Sequence, residues 1–389
     1  MSSKVPMDAK VYQADADRHL SMQDLLRFFL KRGAMRVSDL HVKAGVPPIY
    51  RMDGDLQKMN GAPLEADVAE KLVCSLLSDA EIDRLMADGA VDSSCRLESI
   101  QFRINCFRDS DGLAAAVRAL ESTPPPVEQI GFPNNVWQDI VAKQQGLVLL
   151  TGITGAGKST TIASLIAHIA RTTPCRIITL EDPIEYRLDS AKAMISQRQV
   201  GRHVDSFERG VRDCLREDPD VIFVGEMRDC ESTRWTLSAA ETGHLVFSTL
   251  HTRDVRGSVT RLLDMFPPNQ QDEIASQLSL GLSHIISQKL IPRADGQGRV
   301  CAMEIATNNY AVANLIRLQK VEQLYTMLQT RTKDVPAERM TTLERSLANL
   351  VQRGIVTAQE AQLHANNAPT FLDELERIKQ EQPPPPAGS

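Results

Sequence analysis

Four short runs of this 389-residue chain, GLVLLT, RIITL, DVIFVG and HLVFSTL, are apolar almost throughout and alternate with helical segments. A strand with one wet face alternates apolar and polar residues, whereas a continuously apolar strand is buried on both faces. Such strands belong to a parallel sheet covered by helices. Residues 146–378 therefore read as an α/β domain. After LSHIISQKLI its sequence becomes mostly helical, including TLERSLANLVQRG and TFLDELERIKQEQ. Residues 379–389, ending in QPPPPAGS, read as a flexible tail.

The pattern before residue 146 is different. Residues 1–20 are polar and patternless, and are expected to form a tail. Ser21 and Asp24 have capping-box spacing, and Leu25, Leu26, Phe28 and Phe29 continue a helix that Gly33 would end. Strand-like runs follow in SDLHVKAG, PPIYRMDGDLQKM and SIQFRINCFRD, with the helical stretch ADVAEKLVCSLLSDAEIDRLMA between them and GLAAAVRAL continuing the pattern. This predicts a small α+β domain over residues 21–121. Residues 122–145, which include three consecutive prolines, are expected to be a linker or hinge, with a structured crossing loop as the alternative.

The most specific signal lies where the first apolar strand ends. GITGAGKS, residues 152–159, follows GLVLLT and opens the helical STTIASLIAHIA. In the G-x-x-x-x-G-K-[ST] pattern the glycines, here Gly152, Gly155 and Gly157, let backbone N–H groups turn inward around phosphate oxygens. Ile153, Thr154 and Ala156 complete the loop; Lys158 supplies charge to the β and γ groups; Ser159 offers a hydroxyl to Mg²⁺, with Thr160 following. The expected ligands are ATP and Mg²⁺.

Open α/β sheets bind ligands at the carboxyl ends of their strands. Glu181 and Asp182 follow RIITL, with Glu185 close behind; Glu226 follows DVIFVG; His251 follows HLVFSTL. Two carboxylates there permit a division of labour: Glu226 acts on Mg²⁺ or its water, and Glu181 polarises the attacking water. Each could instead be a loop-end carboxylate capping the next helix, and Asp182 and Glu185 suit structural or capping roles. His244 and His251 sit near the two ends of one strand, roughly 20 Å apart at about 3.3 Å per residue, so they cannot share one phosphate. His251 is the candidate γ-phosphate sensor, and His244 a residue that holds the strand or meets a neighbouring subunit.

Composition limits the partners. The net charge of −6 provides no global basic field for a phosphate backbone or anionic lipid, so direct nucleic-acid binding is not expected. Seven scattered cysteines without a C-x-x-C pair suit free thiols in a reducing compartment. The start MSSKVPMDAK lacks the apolar core of a secretory signal, and no run approaches the ~18 apolar residues of a membrane span. A cytoplasmic protein is expected, reaching the inner face of the cell membrane through partners.

Taken in order, GITGAGKST, ITLEDPIEY, DPDVIFVGEMRD and TGHLVFSTLHT resemble the Walker A, Asp box, Walker B and His box of secretion-type hexameric ATPases. The likeness is strongest to the PilT-type motors that retract type IV pili, and it extends from SDLHVKAGVPPIYRMDGDL through QRQVG to the helical end. It implies a PAS-like N-terminal domain joined to a RecA-like ATPase domain, a homohexamer, and an inner-membrane pilus platform protein as partner. It also implies that Arg103 and Arg118 reach the nucleotide; read from sequence alone, both are strand residues making surface salt bridges.

A paired C-x-x-C insertion of assembly and type II secretion ATPases is absent from the sequence, which favours the retraction group. Three positions depart from that group's pattern: Ala313 and Leu318 replace charged residues in AVANLIRLQK, and Gln199 replaces an acid in QRQVG. The alternatives are an accessory PilU-like subunit working beside a second PilT-like ATPase, a related secretion or DNA-transfer ATPase, and a weakly hydrolysing scaffold subunit.

Overall fold

The computed structural model describes residues 4–32, 37–52, 55–98, 100–120, 123–334 and 339–381. Gly33, residue 121 at the end of the expected first domain, residue 122 of the expected linker, and the proline-rich end from residue 382 lie outside the described residues. The chain divides into two compact units, Met1–Thr123 with Pro183–Arg187, and Pro124–Asp182 with Leu188–Ser389.

The first unit opens with β1 (Tyr12–Gln13) paired to β2 (His19–Leu20), then α1 (Met22–Arg32). It continues with β3 (Val37–Val42), β4 (Ile49–Met52), β5 (Asp55–Lys58), α2 (Ala66–Cys74), α3 (Asp79–Asp88), β6 (Ala90–Leu97), β7 (Ile100–Asp109) and β8 (Gly112–Leu120). Strands β3–β8 form one antiparallel sheet in the order β5-β4-β3-β8-β7-β6. Period-two alternation on β7 buries Ile100, Phe102, Ile104 and Cys106 and turns Arg103 outward. The α+β expectation holds, and the capping box does too: Asp24 N–H donates to Ser21 Oγ at 3.1 Å and Ser21 N–H to Asp24 Oδ2 at 3.0 Å.

Two expectations need correction. Within residues 1–20, Tyr12 is buried and its hydroxyl donates to Ala62 O at 2.6 Å, so a segment read as a tail is pinned by a long-range contact. The helical stretch after residue 64 is two helices, because Ser78 starts a fresh capping box with Glu81.

The second unit begins with α4 (Val136–Val141), whose Val136 and Ile140 are buried, so part of the expected linker is packed. The central elements are β9 (Gly146–Thr151), α5 (Lys158–Thr172), β10 (Arg176–Glu181), β11 (Met194–Gln199), α6 (Phe207–Cys214), β12 (Val221–Val224), α7 (Cys230–Glu241), β13 (Leu245–Leu250), α8 (Val255–Asp264) and α9 (Pro268–Gly281). Then come β14 (Leu282–Pro292), β15 (Arg299–Thr307), α10 (Tyr310–Arg317), α11 (Leu324–Asp334), α12 (Leu343–Gln352), α13 (Ala358–His364) and α14 (Ala368–Glu381).

The seven strands run β11-β10-β12-β13-β9-β14-β15, parallel except for β15. Every residue of β9, β12 and β13 is buried, as two covered faces require. Each fully buried Leu, Ile, Val or Phe there contributes about 1.5–3 kcal/mol. The antiparallel hairpin β14–β15 was not anticipated; it extends the sheet beyond the first strand, and α12 and α14 cover it through Leu343, Leu347 and Phe371. No helix among the described residues is long and apolar enough to cross a membrane.

Candidate active site

Neighbouring parallel strands deliver their carboxyl ends to one edge. Along that edge β9 leads to Lys158, β13 to His251, β12 to Glu226, and β10 ends in Glu181. The phosphate loop takes its shape from two glycines. Gly157 precedes α5 with φ +86, a left-handed conformation that side chains resist. A Cβ on Gly152 would lie 2.6 Å from Gln288 O and 2.9 Å from Ala156 Cβ, so only glycine lets the loop pass β14 so closely.

The Lys158 ammonium is buried and donates to Gly152 O at 2.8 Å and Ile153 O at 3.2 Å, and it lies 3.4 Å from His251 Nδ1. His251 Nε2 is 3.2 Å from Glu226 Oε1. An ammonium only donates and a carboxylate only accepts, so these two neighbours suit a ring that accepts at Nδ1 and donates from Nε2. Lys158, His251 and Glu226 thus form one continuous line of polar contacts.

The line continues through a residue that the sequence reading missed. Arg228 Nε donates to Glu226 Oε2 at 2.8 Å, and its Nη1 reaches Asp182 Oδ2 at 3.3 Å. The Glu226 carboxylate beside it makes the guanidinium hold its proton more tightly than usual. Its signal was present in GEMRD, two residues past Glu226. Gln288 was also missed: buried on β14, it donates from Nε2 to Ala156 O at 2.7 Å and braces the phosphate loop from behind. In LSHIISQKLI it sits between Ser287 and Lys289, and nothing there singles it out from its polar neighbours.

Glu181 is buried at the end of β10, where its Oε1 accepts from Thr179 Oγ1 at 2.6 Å and Gln197 Nε2 at 3.1 Å. Ser159 and Thr160 occupy the first turn of α5. His244 does not join this cluster. It precedes β13 at the opposite edge, with Nδ1 2.9 Å from Ala239 O, and ties the strand to the end of α7.

Arg103 and Arg118 belong to the first unit, where they are direct cross-strand partners on β7 and β8. Arg118 Nε donates to the buried Asp39 at 2.7 Å, and Arg103 lies 3.9 Å from Glu185.

Comparison with known proteins adds the lineage. Residues 19–368 match the family model described as type II/IV secretion system protein. The chain belongs to that family. It is 39% identical to the type IV pilus retractation ATPase PilT of Pseudomonas aeruginosa over 90% of this chain and all of that protein. To the type IV pilus ATPase PilU of the same organism it is 30% identical, over 90% of each chain. A crystal structure of the pilus retraction motor PilT with bound ADP superposes with a TM-score of 0.82 at 39% identity, covering 92% of this chain and 99% of that one. The expected family and two-part fold, a PAS-like domain and a RecA-like ATPase domain, both hold.

Proposed function

We propose that this chain is an ATP-hydrolysing subunit of a hexameric motor that powers type IV pilus retraction. The observation that carries the proposal is the unbroken Lys158–His251–Glu226–Arg228 line along the phosphate-loop edge, in a chain 39% identical over 90% of its length to a named retraction ATPase. The greater identity to PilT than to PilU supports the principal motor over an accessory subunit. The departures at Ala313 and Leu318 keep the accessory reading in play, because they fall in and just after α10.

Residues 152–160 wrap the phosphates of ATP, with the N-terminus of α5 aimed at their charge. Mg²⁺ fits the donors present: it takes hard oxygen ligands, commonly one or two from protein alongside substrate phosphates, which the Ser159 hydroxyl and the Glu226 carboxylate match. Once bound, it would neutralise charge on the β- and γ-phosphate oxygens. Each Glu226 oxygen faces one donor, Arg228 or His251, and keeps a second lone pair for the ion or its water. Glu181, held by Thr179 and Gln197, polarises the attacking water, and His251 reads the γ-phosphate while Lys158 turns from the loop carbonyls toward it.

Arg103 and Arg118 are assigned to reach the nucleotide and stabilise transition-state charge, an arginine role that amounts to about 10³–10⁵ in rate. A hinge within residues 122–145 would let nucleotide contacts favour a closed state that hydrolysis releases. The ring works in the cytoplasm, against a platform protein at the inner membrane.

Purified Lys158→Ala should lose nucleotide binding, and Glu226→Gln should keep binding and lose turnover. In cells lacking the gene, wild type should restore pilus retraction and Glu226→Gln should not; rescue by both would make the chain a structural subunit instead.

A further inference from the structure

A cavity of about 300 Å³ in the second unit is lined by Asp254, Arg256, Glu304, Glu322, Tyr325 and Asn366, among others. Its most unusual group is Glu304 on β15, only 2% exposed. Glu304 Oε1 accepts from the Val255 N–H at 2.7 Å, the first residue of α8. Its Oε2 is buried and has no hydrogen-bond partner among the described residues.

The charged groups around it do not answer that second oxygen. Lys289 on β14 directs its ammonium to His364 O at 2.8 Å and Asn366 Oδ1 at 2.7 Å. Glu344 on α12 accepts from the N–H groups of Asn366 and Asn367, and from Tyr325 on α11. Asp254 caps α8 through Gly257 N–H. Burial foremost pushes the Glu304 carboxyl up to about 8; the Val255 N–H pulls it back, the charges of Asp254 and Glu344 add to the rise, and Lys289 opposes it least. A lone bond to a backbone N–H is thus held by a neutral acid at physiological pH.

Val255 is four residues past His251. The intervening turn is closed at one end by β13 and at the other by α8, with Thr252 Oγ1 2.6 Å from Ser258 Oγ. We infer that Glu304 is a positioning residue for ATP hydrolysis: by holding the Val255 N–H it fixes the start of α8, and through it the turn that presents His251 to Lys158 and Glu226. The inference rests on the proposed role of His251. Ionisation of Glu304 would strengthen its bond to the Val255 N–H, but would also place an unpaired buried charge beside Glu344 and beside Asp254, the cap of α8, and that repulsion strains the start of the helix.

The test is steady-state ATP turnover by the full chain from pH 6.5 to 9.5, for wild type, Glu304→Gln, Glu304→Leu, His251→Gln and the Glu304→Leu/His251→Gln double variant. Glu304→Gln keeps an acceptor for Val255 and cannot ionise, so it should lack the wild-type decline in kcat above about pH 8. Glu304→Leu should lower kcat roughly 3- to 10-fold, in line with one lost backbone hydrogen bond, with KM for ATP changed less than about twofold. In the His251→Gln background the same change should have little further effect.

Full turnover by Glu304→Leu, an alkaline decline kept in Glu304→Gln, or additive losses in the double variant would each overturn the inference. If Glu304→Leu does not fold, the Glu304→Gln profile decides alone. Full turnover by His251→Gln would instead remove the site reading beneath it, whereas a slow His251→Gln beside a full-rate Glu304→Leu would sink this inference only.

Discussion

Glu226 Oε1 lies 3.2 Å from His251 Nε2, on the far side of an imidazole whose Nδ1 meets Lys158 Nζ at 3.4 Å. One ring therefore links the Lys158 ammonium to the Glu226 carboxylate, the pair proposed to act on phosphate and metal. Replacing His251 with alanine should cut that link while leaving the loop that wraps the phosphates. Turnover should fall about 10- to 100-fold, in the lower range of proton-handling side chains, with ADP affinity within a few-fold of wild type. Phosphate-release kinetics and nucleotide titration of the same preparation separate the two.

Arg228 offers a sharper separation of activity from stability. Its guanidinium holds Glu226 and Asp182, but more than half of the side chain is exposed, and exposed ion pairs add little to folding. Arg228→Ala should lower kcat by roughly tenfold, through a Glu226 that is no longer oriented, an effect of about 1.4 kcal/mol on the barrier. Its melting temperature should stay near that of wild type. A large fall in melting temperature with kcat preserved would make Arg228 a structural residue.

Gln288 acts on binding rather than on chemistry. Gln288→Leu keeps the volume and leaves the Ala156 carbonyl without its buried donor, at a cost of about 1–3 kcal/mol. A phosphate loop that reshapes to recover that bond should bind nucleotide roughly tenfold more weakly, seen as a raised KM for ATP with a smaller change in kcat.

Gln288 shows where sequence reading stops. The phosphate loop, Glu181, Glu226 and His251 were legible because each follows its own apolar strand, and strand ends of a parallel sheet share an edge. Gln288 was not, because its partner Ala156 is 132 residues away and belongs to a different strand, brought near only when β14 docks beside β9. Arg228 could be seen, but its link to Asp182 depends on β10 and β12 being neighbours. Tyr12 escaped for the same reason: its acceptor, Ala62, is 50 residues downstream.

Glu304 gives the fold a pH signature that is independent of turnover. Its carboxyl titrates near 4.5 when unfolded and is raised to about 8 when folded. Between those values the native state holds a proton that the unfolded chain has released, so rising pH removes stability, by at most about 1.4 kcal/mol per unit. Below 4.5 both states are protonated, and above 8 both are ionised, so the slope vanishes at each end. Thermal melts of wild type and Glu304→Gln from pH 5 to 9 should diverge with the variant the more stable, the gap widening until about 8 and then levelling. A constant gap would mean that Glu304 does not titrate there.

The close pass of Gly152 under β14 also bears on how this loop can vary over evolutionary time. Ile153 is 62% exposed, so its side chain can be exchanged with little steric consequence. At residue 152 any side chain meets backbone oxygen of a central strand, which cannot swing aside as a flexible side chain could. Within two adjacent codons, the chain thus holds one position open to drift and one closed to it, and the closed one is set by a strand that begins 130 residues downstream of it.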